Sequence, residues 1–135
     1  MAKNEEYLKL LNEQKPKATG SVALKELHSF VAQVATYVGE PARCDLLLGG
    51  LVSYGQEYRA VLSFPLLNYS QTLFRAYISL DNQAITFHPT GGKIEPNITD
   101  LRERLLEMLR LPALIETLQY IKDKAETFRK TGHVS

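Results

Sequence analysis

Residues Cys44–Phe64, "CDLLLGGLVSYGQEYRAVLSF", decide the fold, because here the spacing of apolar residues changes from that of a helix to that of a strand. Upstream, "SVALKELHSFVAQVATYVGEP" over residues 21–41 places Leu24, Leu27, Val31, Val34 and Val38 three and four apart. That spacing predicts an amphipathic helix, with Ser21 available to cap it and Gly39 and Pro41 to end it. Phe30, Ala23 and Ala35 widen the apolar stripe, as expected of a helix lying on a sheet. From Arg43 the period is close to two, and "CDLLLGGLVSY" and "EYRAVLSF" read as two strands joined by a turn near Gly55-Gln56. The pair Gly49-Gly50 inside the first strand signals a bulge, a bend or a break.

Beyond the connection "PLLNYSQ", residues 72–80, "TLFRAYISL", alternate, and Asp81-Asn82 supplies turn chemistry before a shorter strand, "AITFH". No helical stretch separates these strands, so none can make a parallel crossover. An antiparallel sheet of about four strands in meander order follows. Helical period returns in "DLRERLLEMLR", where Asn97 or Thr99 can cap and Leu101, Leu105, Met108 and Leu109 form a stripe. Pro112 then opens a second helix with Leu114, Leu118, Ile121, Ala125 and Phe128 on one face. The pairs Asp100/Arg104, Lys122/Glu126 and Glu126/Lys130 have the i,i+4 spacing of exposed ion pairs. The predicted class is α+β: an N-terminal helix, the sheet, then two C-terminal helices. Residues 21–130 form its single domain. Residues 1–20 are expected to be a short helix and linker, and 131–135 a disordered tail.

The 135 residues carry a net charge of +1 and a single cysteine, Cys44. One thiol cannot make an intrachain disulfide, and with no apolar run long enough for a membrane span it points to a cytoplasmic protein with no membrane partner. The triplets Asn68-Tyr69-Ser70 and Asn97-Ile98-Thr99 would be glycosylation acceptors only in a secreted chain, and are read as coincidence. Basic and acidic residues are evenly mixed from end to end, which removes the usual electrostatic footprint of a nucleic-acid binder.

"FHPTGGKIEPNITD", Phe87–Asp100, has the ingredients of a phosphate loop without the spacing. A P-loop needs a glycine five residues before its Gly-Lys and a hydroxyl residue after it. Those positions hold Phe87 and Ile94, so Thr90-Gly91-Gly92 reads as a turn. His28, His88 and His133 are scattered, Cys44 next to Asp45 reads as a buried inert thiol, and Glu103 and Glu107 lack a second carboxylate pair. No catalytic residue, metal ligand or cofactor is assigned.

Two sets of residues remain. If Phe74, Ala76, Ile78 and Leu80 face the core, parity places Arg59, Arg75, Tyr77 and His88 on the other face, with Val61 and Leu73 among them. Guanidinium and aromatic groups on an open sheet are what anion and single-strand sites use. The loop "FPLLNY" offers Leu66, Leu67 and Tyr69, either to plug the core or to contact a partner. The order of elements resembles that of small bacterial secretion chaperones, which implies a dimer that clamps extended client segments; the chain lacks the acidity of those proteins. The expected function is a non-catalytic protein-binding, adaptor or chaperone-like domain, with another protein or a second copy as partner, met at an edge strand of the sheet or at the long C-terminal helix. The alternative is a nucleic-acid-binding accessory protein that adds Lys122, Lys124, Arg129 and Lys130 to the arginine face, and the third is a small-molecule-binding protein or enzyme.

Overall fold

The computed structural model describes residues 19–133. The short helix expected within residues 1–20 and the last two residues of the tail lie outside that range. In chain order the elements are α1 (Thr19–Val38), β1 (Arg43–Val52), β2 (Gly55–Phe64), a 3-10 turn (Pro65–Leu67), β3 (Tyr69–Ile78), β4 (Ile85–Pro89), α2 (Leu101–Leu109) and α3 (Pro112–Thr131). The strands form one antiparallel sheet in the order β1-β2-β3-β4. The α+β architecture read from the sequence is the one the chain adopts.

α1 buries Ala23, Leu27, Phe30, Val31, Val34 and Val38 against the sheet positions Cys44, Ala60, Leu62, Phe64, Phe74, Ala76, Ile78, Ile85 and Phe87. Phe74 is central: Phe30 meets it edge-on at 5.5 Å and Phe87 lies 5.2 Å away. α2 adds Leu101, Leu105 and Met108, and α3 adds Leu118, Ile121 and Ala125, so one core lies on one face of the sheet. α3 docks on α1, where the Tyr37 hydroxyl donates to Gln119 Oε1 at 2.9 Å and Lys122 Nζ stands 4.5 Å over the Tyr37 ring. Among the described residues no helix is long and apolar enough to cross a membrane.

Several local expectations change. The β1–β2 turn lies at Ser53-Tyr54, just before Gly55, whose φ of +121° and close approach to the Ile78 carbonyl exclude any side chain. Tyr69–Gln71 belong to β3 rather than to a loop, because Asn68 takes a left-handed conformation (φ 53°) and turns the chain back early. A register shift between Ala60 and Val61 leaves Leu73 as an extra residue on β3, so it turns into the core instead of sharing the arginine face. Leu80 lies beyond the end of β3 and is 77% exposed, not in the core. The cap of α2 is Asp100, which accepts from Glu103 N at 3.0 Å, in place of Asn97 or Thr99. Arg104 pairs with Glu95 (2.6 Å) and Glu107 (3.3 Å) in place of Asp100. As expected, the register of β1 on β2 slips at Gly49-Gly50.

Candidate functional site

The sheet face away from the helices carries a cross-strand row. Register sets Leu47 beside Arg59, Arg59 beside Arg75 and Arg75 beside His88. Three of the four residues assigned to this face from sequence thus lie in one line. Tyr77 lies in the next row, between Glu57 and Thr86. Like charges opposite one another on neighbouring strands repel, and one carboxylate partly compensates: Glu57 Oε1 lies 3.1 Å from Arg59 Nε. The contact is off the N–H direction, so Arg59 Nε is buried without a hydrogen bond among the described residues. Tyr77 is buried beneath Tyr54, with ring centroids 5.6 Å apart. Burial pushes its phenol above the usual tyrosine range, the Glu57 carboxylate adds to the rise, and Arg75 opposes it. The basic residues of α3 lie on the helical side of the sheet and do not extend this row.

Of the apolar connection, Leu67 and Tyr69 pack against the core, while Leu66 is half exposed. The Tyr69 hydroxyl donates to Gln71. The glycine stretch after β4 makes a turn, with Gly91 at φ +80°, and brings the chain back along β4. There Phe87 and Glu95 exchange backbone hydrogen bonds, Phe87 N to Glu95 O at 2.9 Å and Glu95 N to Phe87 O at 2.8 Å. α2 begins at Leu101, nine residues past Gly92, too far along the chain for its N-terminus to close over a phosphate held by these glycines.

That return segment covers the β4 edge of the sheet. The β1 edge differs: no strand among the described residues pairs with its outer side. Leu47, Leu48, Leu51 and Val52 are exposed along it, Leu48 at 69% and Leu51 at 61%. Sequence reasoning did not single these residues out. The available signal was "LLLGGLV", whose consecutive apolar residues leave both faces of a terminal meander strand apolar.

Beside the start of β1 is a cleft of about 720 Å³, lined by Arg43, Cys44 and Asp45, by the end of α1, and by Phe128 and Arg129 of α3. Neighbouring residues of a strand point to opposite faces, so a cleft that touches three in succession reaches both faces at the start of β1. Arg129 Nη1 donates to the Glu40 carbonyl, and its guanidinium lies against Gly39, where a Cβ would overlap it. Cys44 is buried at the back. Burial, with a smaller contribution from Asp45, pushes its thiol up to about 12, so it stays protonated and unreactive at neutral pH.

His28 and His133 are exposed, and Glu103 and Glu107 each face an arginine, Arg110 at 3.9 Å and Arg104 at 3.3 Å. Among the described residues no three His, Cys, Asp or Glu side chains group as a metal site would require. No protein-family model matches the chain significantly, and no curated protein or solved structure does so either.

Proposed function

We propose that the protein is a small non-catalytic domain that binds another polypeptide by taking an extended segment onto the outer edge of β1. The contrast between the two edges of the sheet carries this reading. An unpaired strand edge presents alternate N–H and C=O groups, and a second strand completes them. Natural sheets protect such edges with charge, proline or a covering segment. β4 has the covering segment, whereas β1 has neither charge nor proline from Leu46 to Val52. Leucines on both sides of the edge add apolar area to the backbone pairing. A second copy of the chain is one partner that fits, by antiparallel pairing of two β1 edges. A lone buried thiol accords with a reducing, cytoplasmic setting.

The test is native mass spectrometry of gently purified wild type and a Leu48→Lys variant. Wild type is expected to carry a second copy or a bound polypeptide that the variant loses. A wild type that carries neither, or a variant that retains its passenger, would contradict the reading.

A second reading is favoured by the Arg59–Arg75–His88 row, which suits a single-stranded nucleic acid. Replacing Arg59 and Arg75 with alanine would abolish salt-sensitive binding of labelled single strands on that reading, and leave polypeptide binding at β1 intact.

A further inference from the structure

The cleft gives the β1 edge a closed end, and we propose that it seats the free C-terminal carboxylate of the incoming segment between Arg43 and Arg129. This inference rests on strand addition at β1 and names the part of the partner that is recognised.

Direction comes first. Every pairing in this sheet is antiparallel, and antiparallel pairing is the more stable kind per residue. A strand added antiparallel to β1 brings its C-terminal end to Arg43, where β1 begins. The chain preceding Arg43 turns away through Glu40 and Pro41, and Arg129 reaches across to the Glu40 carbonyl. Glu40, Pro41 and Arg129 thus line the cleft at the end where the incoming chain would finish. A segment that terminates there fits better than one that passes through.

Charge comes second. Neither Arg43 nor Arg129 has a carboxylate within 4.0 Å among the described residues, although both line the cleft. Arg129 is held in place by its bond to Glu40, and the absence of a side chain at Gly39 (φ +77°) lets it lie close. A guanidinium fixed in this way loses little freedom on meeting a carboxylate, whose two oxygens match its N–H pairs. Glu40 and Asp45 also line the cleft and disfavour acidic side chains along the incoming segment, leaving the two guanidinium groups as the places for a carboxylate. Ala35, Ala42 and Phe128 leave an apolar wall for the last side chain.

The probe is a random library of N-acetylated octapeptides, half ending in a free carboxylate and half in an amide, passed over the immobilised full chain and read by mass spectrometry. Free acids are expected to be retained at least about tenfold over amides, a ratio within reach of charge-assisted hydrogen bonds. Arg43 is exposed, so Arg43→Glu is expected to fold and to lose this preference, whereas Leu48→Lys is expected to lose acids and amides alike. Equal retention of acids and amides by wild type, abolished by Leu48→Lys, would overturn the carboxylate seat and leave strand addition standing. Retention of neither would overturn both. A stable wild-type dimer that Leu48→Lys dissolves and that excludes the peptides would assign the edge to a second copy instead.

Discussion

Leu48→Lys separates a free edge from a covered one before any partner is known. Leu48 is 69% exposed in the isolated chain, so about a third of its side-chain area is out of water. Full burial of a leucine contributes about 2 kcal/mol, which puts the lost burial near 0.6 kcal/mol. Lysine adds a few tenths for its weaker fit to a strand. The total stays below about 1 kcal/mol, against roughly 2–5 kcal/mol for Leu62→Ala at a position with no exposure on the neighbouring strand. Urea unfolding followed by circular dichroism, with both variants and wild type fitted to a common slope, reads the two values. A loss above about 2 kcal/mol for Leu48→Lys that does not change with protein concentration would mean that the β1 edge is already covered within the chain, and the reasoning about its partner would fail.

Phe74→Ala should destabilise by roughly 3–5 kcal/mol, since it removes the ring that Phe30 and Phe87 both meet; a loss under 1 kcal/mol in the same assay would misplace the centre of the core. Gly55→Ala should cost more than about 2 kcal/mol, because the left-handed backbone and the Ile78 carbonyl both exclude a methyl group. A near-neutral result would show that the β1–β2 turn relaxes. Cys44 has its folded pKa raised from 9.0 to about 12. Its protonated form is favoured in the folded state, so that contribution is complete below pH 9 and is lost as pH rises from 9 towards 12. Stability of wild type should therefore fall more steeply over this window than that of Cys44→Ala, and native Cys44 should resist iodoacetamide at pH 8. Fast alkylation of the folded protein would refute the burial.

The fold was legible because each element announces itself locally. The three-and-four spacing from Leu24 to Val38 and the alternation in "TLFRAYISL" need no tertiary information. Parity along a strand was legible only until a bulge intervened: one extra residue at Leu73 turned an expected surface side chain into a core one. The Arg59–Arg75–His88 row was half visible. Alternation gave the face, but only register could show that the three residues lie side by side.

That a sheet edge could meet a partner was legible, but the choice of β1 was hidden. A meander makes its first and last strands edges, yet which edge is left without a pairing segment among the described residues depends on Glu95 folding back onto Phe87, in a segment with no periodic signal. The cleft is lined by both Arg43 and Arg129, 86 residues apart, and the glycine that lets Arg129 lie against the end of α1 reads in sequence as an ordinary helix stop. Such long-range pairs carry no local trace.

The most direct test of the account is backbone hydrogen exchange of the labelled protein, free and saturated with the best-retained octapeptide. Strand addition at β1 predicts that alternate amides between Arg43 and Leu48 exchange quickly in the free protein and at least about tenfold more slowly in the complex, with Phe87 protected throughout. Protection that appears on the arginine face or the helices while β1 is unchanged would contradict it.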